Sequence, residues 1–393
     1  MYINWAHHYI PKISGASSII VNFLFIRILQ TDKKNELGCY RYLLLYFAIY
    51  NLTCTAGDVT VPMAVHDYRY AFSIFISDGL FEQKSSIGGV LLSLRCALIP
   101  VTYAILHCHF VYRYLVLFTN NFLTEWFLPY GLLITVTYCL LVMAAWFAAC
   151  YCFMFPETER LIYLEESINQ SYHLDVHKVN ILSTLYQEGS AEVIRQSWTG
   201  IVIVSVISVY SIVVYIVLGI LIVEKLEQEE LYMSRRTRNM QRQLMKALAV
   251  QALIPIFVSF LPCLIVLYQP VFNVDFGRWL DLTACVAVSL FPVLDPLALF
   301  FVIPTFRRRI QEKMVESTEI VSYIVTGNKR ASPDKFVSMS LNIDKTPRES
   351  ETPGPTVTIQ MTCSMETDTW QYKATVEGQV HTLNVTSVEC MQG

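Results

Sequence analysis

Seven apolar runs, each close to the length of a membrane-crossing helix and separated by charged stretches, constrain this chain more than any other feature of its sequence. A helix that crosses the hydrocarbon core of a bilayer needs about 20 predominantly apolar residues. Inside that core only helices and closed barrels satisfy all the backbone N–H and C=O groups internally. The runs lie near residues 10–30, 42–63, 88–112, 128–152, 197–223, 244–268 and 281–304. Charged residues make up 16% of the 393-residue chain, against about 25% in an ordinary soluble domain. That leaves too little polar surface for a water-soluble globule of this size. The fold predicted is an all-α membrane protein, with a seven-transmembrane helix bundle over residues 1–312. The net charge of -3 gives no sign of nucleic-acid binding.

Lysine and arginine orient the bundle. With the N-terminus outside, the segments facing inward (31–41, 113–127, 224–246 and 305–313) hold 14 of these residues. The outward segments (1–9, 64–87, 153–196 and 269–280) hold 6 in a greater total length. Cytoplasmic loops carry the excess of basic residues, so the N-terminus is predicted outside and the C-terminus inside. In this orientation the sequon Asn169-Gln-Ser171 falls in the long second outer loop and is a predicted glycosylation site. That loop is acidic and reads as a solvated lid. Beyond the seventh helix, residues 313–356 are rich in Ser, Thr, Pro and charge, which predicts a disordered linker. Residues 357–393 alternate apolar and polar positions, a pattern of short strands and hairpins.

Charged groups within the apolar runs need a reason, because each costs about 2.5–3.5 kcal/mol at a helix centre. Arg95 and Arg113 are 18 residues apart, about five full helical turns, so they share one face of the third helix. Asp58 lies at nearly the depth of Arg95, and the two are predicted to pair near the floor of an outward-facing cavity. Such a pair either fixes helix register or leaves Arg95 to meet a polar ligand, and both readings stand. Pro255 and Pro262 fall on one face of the sixth helix, directly after the basic inner stretch containing Arg235, Arg236, Arg238 and Arg242. They make a hinge that could couple an outer site to an inner partner. No catalytic set, metal site or cofactor site is predicted. His107, Cys108 and His109 diverge by about 100° per residue around a helix and have no carboxylate at ligand spacing. Most of the 11 cysteines sit in apolar runs, where a thiol serves as a small hydrophobe.

Several stretches together resemble a known group. They are Gly38-Cys-Tyr-Arg-Tyr-Leu43, with Asp58 and Pro62-Met-Ala-Val-His66 after it; Phe110-Val-Tyr-Arg-Tyr114; Ser234 to Leu248, running into Gln251-Ala-Leu-Ile-Pro255; and Phe291-Pro-Val-Leu-Asp-Pro296 with Phe306-Arg307. In order and spacing, over roughly residues 5–312, they resemble the nematode seven-transmembrane chemoreceptors of the Str type, which are serpentine G-protein-coupled receptors. The resemblance implies a plasma-membrane receptor of sensory neurons or their cilia that binds a small odorant outside and activates a heterotrimeric G protein inside. It implies an arginine switch for G-protein coupling at Tyr112, Arg113 and Tyr114; the four arginines of the inner stretch are the candidate docking face beside it, and Arg95, Asp58 and His66 are the candidate ligand contacts. Pro255, Pro262, Asp295 and Pro296 become the switch and hinge. Two departures are visible: Gly88 stands where many rhodopsin-like receptors place a disulfide cysteine, and Leu299 or Phe300 replaces the usual tyrosine after Asp295-Pro296.

Other seven-helix functions fit less well. A ligand-gated cation channel of the seven-helix odorant type runs with its N-terminus inside, against the charge bias. A transporter commonly shows repeated halves, and none is visible. A retinal pigment needs a lysine in the seventh helix, and none lies between Asp281 and Pro304.

Overall fold

The computed structural model describes residues 5–30, 38–118, 127–229, 235–274, 276–303, 307–308, 360–366, 369–376 and 379–386. The chain divides into two units, Met1–Gln311 and Glu312–Gly393.

The first unit is built on seven helical passes. They are α1 (Trp5–Gln30), α2 (Tyr40–Thr60), α3 (Ser86–Phe118), α4 (Leu132–Phe153), α6 (Ala191–Glu229), a sixth pass in two pieces, α7 (Arg235–Pro255) and α8 (Leu261–Tyr268), and α9 (Arg278–Val302). A further helix, α5 (Thr158–Tyr172), belongs to the second outer loop. Six of the passes are long and apolar enough to cross a membrane by composition alone. The exception is α2, which carries Asn51, Thr55 and Asp58 and packs between α1, α3 and α9. It ends at Thr60 because Val61 precedes Pro62, and a residue before proline is driven out of the α region. At the centre stands α3: 72% of its most apolar stretch is buried, against 22% for α4. That contrast makes α3 the axis of the bundle and leaves most of α4 facing lipid.

The outer loops are more ordered than the solvated lid expected from composition. β1 (Met63–Tyr68) and β2 (Ala71–Ile76) form a hairpin, and β3 (Ile181–Leu185), from the second loop, pairs antiparallel with β2. The hairpin reverses through Arg69 at φ 49°, left-handed backbone that non-glycine residues seldom adopt. Every residue of β3 is buried. The sheet closes over the bundle on one face and packs α5 on the other, through a core that includes Phe75, Leu161, Leu164, Ile168, Val176 and Leu185. The alternation that marks a half-exposed strand is absent from β3, because both of its faces are covered.

Two polar side chains hold this cap. Arg160 is 1% exposed and donates to the carbonyls of Phe153, Phe155 and Ser183 and to Gln196. It thereby ties the end of α4, strand β3 and the start of α6 to one guanidinium. Burial pushes its pKa down, and the neighbouring Glu157 and Glu159 oppose that shift. Asn180 donates to the carbonyls of Phe81 (2.6 Å) and Gln83 (2.8 Å) and accepts from the Ser85 N–H (2.9 Å). Its amide rests on Gly88, where a Cβ would sit 2.2 Å from Asn180 Nδ2. The place of the rhodopsin-like disulfide is thus taken by an amide seated on a glycine.

In the second unit β4 (Gln360–Glu366), β5 (Thr369–Val376) and β6 (Gln379–Thr386) pair antiparallel in that order. The predicted disordered linker, 313–356, lies outside the described residues.

Removing the Asn180 amide strips three hydrogen bonds, so Asn180→Ala is expected to cost about 2 kcal/mol. Gly88→Ala should cost a similar amount through the clash. In the double variant the methyl fills space that the amide has left, so the two losses should not add. Thermal unfolding of the purified protein measures all three.

Candidate functional site

Polar side chains buried in a bundle must find partners within it, and their positions trace a line from the outer cap to the inner face. At the outer end, β1–β3 roof a cavity walled by α3, α4, α6, α8 and α9. Met63, Phe72 and Leu182 come from the roof, Trp146 from α4, and Phe260 and Leu264 from the sixth pass. The space between atoms is about 990 Å³ with its mouth included, which is within the range of small-molecule sites. The lining is almost wholly apolar. Its few polar groups include Ser183, Ser208 and the pair Ser205 and Tyr268, whose hydroxyls meet at 2.6 Å between α6 and α8.

A smaller space of about 300 Å³ adjoins the cavity and shares Ile99 and Val288 with it. Arg95 and Asp58 line it, and their side chains are paired, Arg95 Nη2 donating to Asp58 Oδ1. Both are largely buried, at 4% and 10% exposure. Gly57 permits the fit, since a Cβ there would lie 3.2 Å from Arg95 Cδ. His66 lies elsewhere. It stands on β1, hydrogen-bonds Ser167 of α5 at 2.8 Å and packs edge-on against Tyr172, so it belongs to the cap and not to the cavity wall.

Deeper still, prolines determine the wiring. Pro296 has no N–H, so it cannot donate to the carbonyl of Pro292 one turn earlier. That orphaned carbonyl accepts instead from Asn22 of α1 at 2.9 Å. One turn along α9, the Asp295 carboxylate accepts from Asn51 of α2 (3.0 Å) and from Gln251 of α7 (2.8 Å). Ser18 and Thr55 join α1 to α2 at 2.6 Å. Four helices therefore meet in one buried amide–carboxylate cluster. Pro255 and Pro262 bracket a π-helical turn, Ile256–Phe260, that separates α7 from α8. Its outer neighbour α8 lines the cavity, and α7 carries Gln251.

At the inner end of α3, Arg113 lies over the Tyr40 ring at 3.8 Å and donates to Gln241 of α7 at 3.3 Å. Tyr112 stacks on Tyr40 as well, with centroids 5.6 Å apart. Tyr114 is half-buried nearby. Arg235 and Arg242 are exposed at the start of α7 and Arg238 is half-buried there, whereas the side chain of Arg236 lies outside the described residues. His107 and His109 face different helices: His107 meets Tyr138 and the Ser211 carbonyl, and His109 meets Tyr40. Asn169 is exposed on α5.

Sequence reading gave no role of their own to Asn22, Asn51, Gln251, Tyr40, Gln241, Arg160 and Asn180. The first three had a visible signal, since an amide inside an apolar run has to be answered somewhere. Tyr40 and Gln241 look like ordinary helix-end residues and become visible only in three dimensions.

A roofed outer cavity, a shared polar cluster at mid-depth and an arginine at the inner end of the third helix thus lie along one seven-pass bundle. The chain belongs to the family described as serpentine type 7TM GPCR chemoreceptor Srj, whose match covers residues 1–310. Serpentine receptor class J-38 of Caenorhabditis elegans is 36% identical over 321 residues, which is 81% of this chain and 96% of that protein. G-protein coupled receptor str-33 of the same organism is 26% identical, with 78% and 90% covered. Serpentine receptor class r-10, also from C. elegans, is 27% identical, with 74% and 85% covered. The family shown is therefore Srj and not the Str type that the sequence resemblance suggested, with str-33 among the receptors it is similar to. These relatives are named as receptors, and the apolar helices make this a multi-pass membrane protein.

Asp295→Ala leaves two buried amide donors without an acceptor and is expected to cost about 3 kcal/mol. Asp295→Asn should stay within about 1 kcal/mol of wild type, since Asn51 Oδ1 and Gln251 Oε1 have no hydrogen-bond donor among the described residues and can receive its NH₂. Unfolding midpoints in detergent compare the two.

Proposed function

We propose that this protein is a chemosensory receptor that binds a small, weakly polar chemical in the roofed outer cavity and activates a heterotrimeric G protein at the inner face. Its place is the plasma membrane of sensory neurons or their cilia. The observation that carries this reading is the sixth pass. It lines the cavity through α8, breaks at a π turn between two prolines, and touches Arg113 through Gln241 of α7.

A ligand shifts such a bundle only by as much as it prefers one arrangement over the other. Binding against Phe260 and Leu264 acts on the outer end of the π turn and on the helix just beyond it, where the sixth pass bends most easily. Movement of α7 then separates Gln241 from Arg113, and the arginine turns toward the G protein beside the exposed Arg235 and Arg242. The latch is weak by design of its parts. A cation–π contact contributes about 0.5–2 kcal/mol and a hydrogen bond to a charged group about 1.5–3 kcal/mol. Modest differential binding suffices to open it.

The test is G-protein activation in a heterologous cell exposed to a panel of small odorants. Wild type should respond, and Arg113→Ala should lose the response at equal surface expression. Gln241→Ala should raise basal activation about tenfold, because it removes one hydrogen bond of the latch and leaves Arg113 in place. A current that persists without G protein would replace this reading with a ligand-gated channel.

A further inference from the structure

The smaller space that holds the Asp58–Arg95 pair adjoins the outer cavity, and Ile99 and Val288 line both. Of the three guanidinium nitrogens of Arg95, only Nη2 has a partner among the described residues, and that partner is Asp58. Nε is buried with no hydrogen-bond partner. A guanidinium offers five N–H donors, and one pairing leaves most of them open. An unanswered donor in a buried place is a standing cost, so an acceptor that reaches it gains more than it would in water.

Charge decides which acceptor fits. Asp58 and Arg95 cancel, and no other Asp, Glu, Lys or Arg lines either space. A carboxylate ligand would bring an uncompensated negative charge beside Asp58. An ammonium would bring a positive one beside Arg95. Either excess is expensive in a low-dielectric bundle. A neutral acceptor adds hydrogen bonds and leaves the charge balanced, while the wall above it suits an apolar body.

We propose that Arg95 recognises a neutral hydrogen-bond acceptor, such as a carbonyl oxygen, at the polar end of an otherwise apolar ligand that enters the smaller space through the main cavity. This rests on the reading of that cavity as the ligand site. It assigns the ion pair a recognition role beyond fixing helix register, with Asp58 as the group that excludes anions.

The experiment measures ligand-induced stabilisation of the full-length receptor in lipid nanodiscs. The probes are linear, branched, cyclic and aromatic skeletons, each prepared as ketone, hydrocarbon, carboxylate and ammonium. On at least one skeleton, wild type should bind the ketone roughly tenfold or more tightly than the matching hydrocarbon. Asp58→Asn/Arg95→Met removes both charges together and should abolish the ketone's advantage over the matching hydrocarbon. Asp58→Asn alone frees the cation and should turn the preference from ketone to carboxylate, which keeps the idea testable should the double variant fail to fold. Equal binding of ketone and hydrocarbon, or preference for carboxylate in wild type, would overturn the acceptor role and leave the cavity as the ligand site. Binding of no skeleton in any form would overturn both.

Discussion

The carbonyl of Pro292 lost its helical donor when Pro296 was placed one turn further on, and the rest of the bundle is arranged around how that loss is answered. Lipid supplies no hydrogen bonds, so the donor has to come from another helix. Asn22 of α1 supplies it. Asn51 then packs beside Asn22 and donates to Asp295, which also draws in Gln251. A backbone defect in α9 is thereby converted into a four-helix junction. The same rule accounts for the other buried polar groups: Arg95 with Asp58, His107 with Tyr138, and His109 with Tyr40. Together they set the register of the helices at several depths, which apolar packing against equally apolar lipid would specify less sharply.

The outer cap meets the same requirement with different chemistry. Many extracellular loops rely on a covalent link, but here a buried arginine and an asparagine gather carbonyls from three chain segments. Hydrogen bonds of this kind hold a roof in place and still allow it to rearrange. The Glu159 carboxylate adds to the cap by accepting from the Ser190 backbone and hydroxyl, which keeps its pKa below the usual glutamate range. Its pairing is present above that range and is lost as the pH falls through the depressed value.

On the receptor mechanism proposed for this family member, the two ends of the molecule communicate through a helix that is interrupted between them. α8 feels the ligand and α7 holds the arginine. The π turn at Ile256–Phe260 lets one move without dragging the other rigidly. Buried polar groups at the junction resist arbitrary motion, since each displaced amide needs a new partner. The bundle therefore has few arrangements available to it, as a switch requires.

The amino-acid sequence alone determined that the chain forms a bundle of membrane helices, because this follows from segment length and hydropathy summed over many residues. It also pointed to Asp58 and Arg95, to Arg113 and to the paired prolines, since charge and proline inside an apolar run are exceptional in themselves. It did not reveal the sheet over the cavity, the seat of Asn180 on Gly88, the removal of His66 from the cavity to the cap, or the hold of Tyr40 and Gln241 on Arg113. Each of these joins residues far apart in the chain through one close contact. No local pattern marks such a contact, because its energy depends on where another helix or loop comes to rest. Tertiary structure decided them through the advantage of pairing polar groups that the bundle and its cap had taken away from water.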